Sequence, residues 1–401
     1  MYIARQPIFD KVLKVYGYEL LFRSDSQSTI FDGNSSMQAT ASVVGGLYEA
    51  QIEIIADNKR VFINFDEQFL QYDFLELLDT DKLVIEVLET VTISETLINR
   101  LEELKTKGYK IALDDFAESY AEYPLTRLAD IIKYDLRETP LETITEDMKR
   151  ALRQNKVLLA EKVETFEEFR KAKEMGFHLF QGFFFSRPSI VSKSREHTTT
   201  KAQYTRLLQE LKSEEPSFQK LAEIIEQDPN LAYRLLHVVS NKAKDDLVYS
   251  IKRALSYMGL NELERWINIL MLRELGDEKP DELLMLSLIR AKFAEYIARN
   301  SNKKYQKFEA SIMGLFSVMD ALLDEPMDQA IKDISISVSV KEALMERSGD
   351  LAQIYDLILA YEGGDWDKVE CLCGNLKVKV SLLQEGYINA VRWAGEIMAL
   401  F

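Results

Sequence analysis

Short apolar runs alternate with helical stretches through the first 190 residues of this chain, and each run closes on a polar side chain. Val61-Phe62-Ile63 is followed by Asn64, Leu83-Val84-Ile85 by Glu86, and Ile111-Ala112-Leu113 by Asp114 and Asp115. Ile131-Ile132 is followed by Lys133, Val157–Ala160 by Glu161, and Leu179-Phe180 by Gln181. Earlier, Tyr18-Glu19-Leu20-Leu21 sets an acid inside an apolar run. Such runs read as buried parallel strands. The predicted strands are Ile3–Phe9, Tyr16–Phe22, Val61–Phe65, Leu83–Leu88, Lys110–Phe116, Asp130–Lys133, Val157–Glu161 and Leu179–Phe185. Helical patterns lie between them. Ser94–Lys107 has Ser94 as N-cap, and Glu167–Met175 is followed by Gly176. This rhythm predicts an α/β barrel of the TIM type over residues 1–190, with its site at the C-terminal strand ends. Carboxylates gathered there repel one another unless cations neutralise them, so a divalent-metal site is expected on the barrel rim.

The pattern then changes. Residues 191–203 fall in a stretch short of apolar side chains and read as a linker. From 204 to 401 the apolar positions recur at helical spacing, with few strand signals, which predicts an all-α domain. Asp228-Pro229 stops one helix and starts the next. Phe218, Leu221, Ile224 and Ile225 share one helix face, and Leu235, Leu236 and Val239 recur in the next helix, so both contribute to one core.

Composition narrows the function. The chain has 401 residues, 47% of them hydrophobic, enough for two cored domains. A formal net charge of −16 argues against a nucleic-acid partner. No stretch approaches the ~20 apolar residues of a membrane span. The apolar start is broken by Arg5, Gln6 and Asp10, unlike a signal peptide, so a cytoplasmic location is expected. Cys371 and Cys373, the two cysteines, read as reduced thiols. Phe183-Phe184-Phe185 reads as core, and His178 as structural. Taken singly, Glu86 and Glu89 suit a solvated strand end, Asp114-Asp115 a helix N-cap, and Lys133 a salt bridge. Their joint placement at successive strand ends favours a site.

These same strings carry a family resemblance. Tyr18–Arg23, Val61–Phe65, Val84–Glu89, Ile111–Phe116, Asp130–Asp135, Ala160–Thr165 and Phe180–Phe183 resemble, in order, the motifs of EAL-domain phosphodiesterases, which linearise cyclic di-GMP. The resemblance implies that Glu19, Asn64, Glu86 and Asp114 bind one Mg or Mn ion, and Asp114 and Asp115 a second, with Glu161 beside them. It implies that Lys133 and Gln181 orient or activate the attacking water, alongside Glu19. Arg23 and Gln6 would contact substrate, and Glu164 would steady the loop after Asp115. The hard oxygen donors independently favour Mg or Mn over zinc. The chain departs from the pattern at Ala117-Glu118-Ser119-Tyr120-Ala121-Glu122, where the family has Gly-Thr-Gly-Tyr-Ser-Ser, and at Lys162, where it has Gly. Both loop glycines, with their access to φ > 0, are gone, and impaired catalysis is expected from this loop.

Residues 204–401 resemble the HDOD domain, through Leu221–Leu231, Leu235–Asn241 and Ser250–Leu260. Met319-Asp320 stands where a metal-binding His-Asp pair is sought, and His237 has no evident partner, so a protein-binding role is expected rather than hydrolysis. The first functional expectation is a cyclic di-GMP signalling protein, with a degenerate EAL barrel sensing nucleotide or partner and an HDOD output domain. An active metal-dependent phosphodiesterase and a nucleotide-independent scaffold are the alternatives. A homodimer is compatible with each.

Overall fold

The computed structural model describes residues 2–23, 52–71, 79–187, 198–243, 250–276, 279–332, 334 and 336–399. The chain forms two compact units. The first holds Met1–Arg187 together with Leu359–Asn375 and Lys379–Arg392; the second holds Pro188–Ile358, Leu376–Val378 and Trp393–Phe401.

The first unit is built on a closed eight-stranded barrel whose strands neighbour one another in chain order. They are β1 Tyr2–Asp10, β2 Val15–Arg23, β3 Arg60–Phe65, β4 Leu83–Val87, β5 Lys110–Leu113, β6 Ile131–Asp135, β7 Val157–Glu161 and β8 Leu179–Gln181. Ile8, Phe62, Val84, Ala112, Ile131, Leu159 and Leu179 form one buried cluster inside it. At Gly17 of β2 an added Cβ would lie 2.7 Å from the Arg60 carbonyl oxygen and 3.1 Å from the Phe62 ring, so the close approach of β2 and β3 there requires a glycine. Side chains alternate along a strand, so the residue two positions on shares the same face. That rule puts Asn64, Glu86, Asp114, Lys133, Glu161 and Gln181 on the inward side, directly past the apolar filling.

One expectation needs correction. β2 to β8 pair in parallel, but β1 runs antiparallel to both β2 and β8. Only Lys11–Lys14 joins β1 to β2, and a parallel crossover needs a dozen residues or more. The turn is held by the Asp10 carboxylate, which accepts from the backbone N–H groups of Val12 and Lys14 at 2.8 and 2.9 Å. Two strands also stop sooner than the apolar pattern suggests. β5 ends at Leu113, and Phe183–Ser186 is a 3₁₀ turn after β8.

The helices between strands end where local chemistry stops them. Ser94 caps Glu95–Thr106 by accepting from the Leu97 N–H at 3.1 Å. Phe166–Met175 carries a capping box between Thr165 and Glu168 and ends at left-handed Gly176. His178 accepts from the Leu158 N–H through Nδ1, a structural role.

From Thr198 onward the described regular elements are all helices, the first beginning inside the stretch read as linker. Leu221, Ile225, Leu235 and Val239 are buried, and Ile224 and Leu236 half-buried, as the face pattern predicts. Cys371 and Cys373 are free thiols in the helix Trp366–Leu376, the first exposed and the second buried. No described helix is long and apolar enough to cross a membrane.

Candidate active site

Lys133 is the centre of the barrel mouth. Its side chain is 0% exposed, and its Nζ lies 2.6 Å from Glu86, 2.6 Å from Asp114, 2.8 Å from Glu161 and 3.9 Å from Glu19. The Asp114 contact is a hydrogen bond, and Glu86 Oε1 is ion-paired with the same ammonium, which leaves Glu86 Oε2 buried without a partner. Glu19 is held from two sides. Asn64 Nδ2 donates to one oxygen at 2.9 Å and Gln181 Nε2 to the other at 2.6 Å. Gln181 Nε2 also donates to Gln6 Oε1 at 3.1 Å. The remaining amide oxygens, Asn64 Oδ1 and Gln181 Oε1, are buried without a partner. Asp114, Asp115 and Glu161 place ligand oxygens within 4.8 Å of one another.

This crowding governs the charges. Burial pushes the Glu86 carboxyl well up; Lys133 opposes that shift, while Glu19, Asp114 and Glu161 add to it. Burial likewise raises Glu161, to about 8, against the pull of Lys133. Asp115 is raised by burial and by Asp114. Burial alone would depress Lys133, but Glu161, Glu19, Glu86 and Asp114 outweigh it and hold the ammonium well above its usual range. Five carboxylates thus gather about Lys133, while Lys162 is paired with a sixth, Asp135, and two ammoniums cannot neutralise six acids. Protons or divalent cations must make up the difference.

The mouth opens into a cavity of about 410 Å³ lined among others by Gln6, Glu19, Asp115, Glu161, Gln181 and Phe183. Phe183, expected in the core, is 44% exposed and lines this cavity, while Phe184 and Phe185 are buried. The 3₁₀ turn breaks strand alternation and turns Phe183 outward. Glu164, expected to steady the loop after Asp115, pairs in the described contacts with Arg137 and Arg187. Arg23 lies in β2, and its side chain falls outside the described ones, as does that of His237.

The loop after Asp115 does not use the backbone freedom of the glycines it lacks. None of residues 117–122 has positive φ; the left-handed residue is Asp115 itself, at 39°. The loop closes through backbone hydrogen bonds from Glu122 and Tyr123 to Ser119, and Tyr120 is buried with its hydroxyl on Gln154. Its conformation needs no glycine.

Sequence reading missed three neighbours of the site. Lys162, itself left-handed at φ 52°, pairs with buried Asp135, and this hydrogen bond raises its pKa. Arg137 lines the cavity. Gly363 lines it too, from the chain's far end. The strings Lys133–Arg137 and Glu161-Lys162 offered a signal for the first two; Gly363 had none.

The barrel and its acidic mouth define an EAL-type domain. The EAL domain model matches residues 2–188, and the HDOD domain model matches residues 198–323. The chain is 34% identical over 413 aligned positions to the protein YuxH of Bacillus subtilis (strain 168), covering 99% of each. It is 33% identical over 408 positions to the Vibrio cholerae protein named cyclic di-GMP phosphodiesterase CdgJ, covering 100% of this chain and 93% of that one. The chain therefore belongs to the EAL family, with an HDOD domain after the barrel. Similar solved structures include an EAL domain protein from Listeria monocytogenes EGD-e, at 25% identity and TM-score 0.38, covering 47% of this chain and 88% of that one. Another is the Bacillus subtilis YkuI protein in complex with c-di-GMP and calcium, at 21% identity and TM-score 0.39, covering 64% and 73%.

Proposed function

We propose that the barrel is a Mg- or Mn-dependent phosphodiesterase that opens the ring of cyclic di-GMP. The observation that carries this reading is the convergence of five carboxylates, two amides and a buried lysine at one mouth, with Asn64 Oδ1 and Glu86 Oε2 buried and lacking a donor. Such an all-oxygen set fits hard divalent ions. Glu19, Asn64, Glu86 and Asp114 would hold one, and Asp114, Asp115 and Glu161 a second. Bound there, such ions supply positive charge to the phosphoryl oxygens and raise the acidity of water near neutral pH.

The chain's own groups do the rest. Lys133, held as an ammonium by the metal-free carboxylates, is assigned to orienting the attacking water and steadying the anionic transition state. Gln181 keeps an unpartnered Oε1 for a proton of the attacking water. The water oxygen bonds to phosphorus as one ring P–O bond breaks; the water gives up one proton and the leaving ribose oxygen takes one up, so one water is consumed for each ring opened. Phe183 offers a guanine a stacking face, worth about 1–3 kcal/mol. Arg23, Gln6 and Arg137 are assigned to substrate contacts. The full-length likeness to the Vibrio cholerae relative supports the choice of nucleotide. The HDOD region is assigned a protein-binding role, and a homodimer suits either.

A second reading, nucleotide sensing without turnover, rests on Glu118 and Glu122, exposed on the loop after Asp115, which add negative charge against a dianionic ligand. A comparison with Glu86→Gln decides between them. Wild type should convert cyclic di-GMP to the linear dinucleotide with Mn, and Glu86→Gln should lose turnover by ~100-fold or more, because it weakens the hold on an ion whose charge stabilises the transition state. Equal product from both, or nucleotide binding without product in wild type, contradicts the enzyme reading.

A further inference from the structure

The helix Gly349–Glu362 ends against the barrel mouth, and its last residues from Leu359 on belong to the barrel's compact unit. Its end is a Schellman turn. Asp365 N–H bonds to Ala360 O at 2.9 Å and Gly364 N–H to Tyr361 O at 3.2 Å, with Gly364 left-handed at φ 70°. That motif satisfies the carbonyls of Ala360 and Tyr361. The carbonyl of Glu362 is taken instead by a side chain of the barrel site: Gln6 Nε2 donates to it at 3.3 Å. The turn is anchored beside this contact. Tyr361 is buried, its hydroxyl accepts from the Ile3 N–H at 3.5 Å, and its ring packs 5.3 Å from Trp366 and 5.1 Å from Tyr387. Gly364 sits so close to Leu21 that an added Cβ would lie 3.1 Å from Leu21 Cδ1.

Resting on the phosphodiesterase reading, we propose that this C-terminal turn is a positioning element of the barrel site, which fixes the polarity of Gln181 through Gln6. An amide has one donor end and one acceptor end. With the Gln6 donor end on the Glu362 carbonyl, its Oε1 faces Gln181 and demands a donor. Gln181 therefore turns Nε2 to Gln6 and to Glu19, at 3.1 and 2.6 Å, and leaves Oε1 as the free acceptor. Without the carbonyl, Gln6 is free to flip, Gln181 can flip with it, and Glu19 loses one of its two donors and keeps only Asn64. The barrel thus depends for its polarity on residues that lie outside the segment matched as EAL domain.

The test is a double-mutant cycle in the full chain, using Gln6→Met, which removes the amide, and Gly364→Ala, which strains the turn and presses on Leu21. Thermal melting checks that each variant folds. Two readouts are taken: kcat and KM for cyclic di-GMP with Mn, and Mn affinity by calorimetry without nucleotide. Loss of a ligand's outer partner costs ~10–100-fold in metal affinity or activity. Each single variant should lower kcat about tenfold and weaken Mn by a matching factor; Gln6→Met, which also loses a substrate contact, should raise KM as well, whereas Gly364→Ala should change KM far less. The double variant should be no worse than the worse single, because both act through one chain of contacts. Additive losses, or a folded Gly364→Ala with wild-type Mn affinity, overturn the inference. A wild type without turnover whose Mn affinities still follow the non-additive pattern overturns the phosphodiesterase reading and leaves the positioning role supported.

Discussion

Asn64 and Glu86 stand in register across β3 and β4, each two residues past an inward apolar side chain, Phe62 and Val84. This pairing shows how the site is made. The strand that fills the barrel with an apolar side chain delivers, one alternation later, an oxygen ligand at its mouth. Ala112 and Asp114, Leu159 and Glu161, and Leu179 and Gln181 repeat the spacing, and Ile131 and Lys133 use it to deliver the cation between them.

Replacing that cation tests the electrostatic account. Lys133→Met leaves buried carboxylates without their ammonium, and breaking a buried charge group costs about 3–5 kcal/mol. Urea unfolding of the metal-free protein should show a loss of that size, smaller with millimolar Mn present. An unchanged midpoint would mean the carboxylates are already neutral without Lys133.

The loop after Asp115 should tolerate its present sequence. Since residues 117–122 hold no positive φ, Ala117→Gly and Ser119→Gly relieve no strain. The double variant should keep kcat within about twofold, because glycine there gains only flexibility. A large rise in turnover would return the loop to the centre of the explanation.

Gly182 should be far less tolerant. It sits between Gln181 and Phe183 at φ 145°, where an added Cβ would run into the Val163 backbone. Gly182→Ala must shift the end of β8, and displacement of about 1 Å can cost ~100-fold in rate. A folded Gly182→Ala with wild-type kcat would show that Gln181 does not need its observed position.

His178 gives a pH dependence with a definite sign. Burial lowers its pKa, aided by Lys11, and its Nδ1 must stay unprotonated to accept from Leu158. The folded value lies below the unfolded one, so the fold favours the neutral form. Above about pH 6.5, the free imidazole's pKa, the group is neutral in both states. Below it, stability falls as pH drops towards the folded value. Denaturation of wild type against His178→Asn, from pH 7.5 to 5, should show wild type losing its relative advantage on acidification. Parallel curves would remove His178 from the account.

The sequence disclosed what period-2 alternation encodes: the strands, the order of the ligands and the inward lysine. It also held the cue for antiparallel β1, since Lys11–Lys14 is too short for a crossover, yet the apolar pattern of β1 looks the same in either direction. Phe183 was misplaced because a triple Phe reads as core until the turn after β8 breaks the alternation. The Gln6 contact with Glu362 spans 356 positions and uses a main-chain carbonyl, so no side-chain pattern could announce it.

The most direct test of the central claim is turnover by the unmodified full-length protein, followed by phosphorus NMR with cyclic di-GMP and Mn. The account predicts that the ring phosphodiester signal is replaced by signals of a linear dinucleotide bearing one phosphomonoester, and that a chelator stops the change. Cyclic di-GMP that binds but stays intact in the presence of Mn would contradict it.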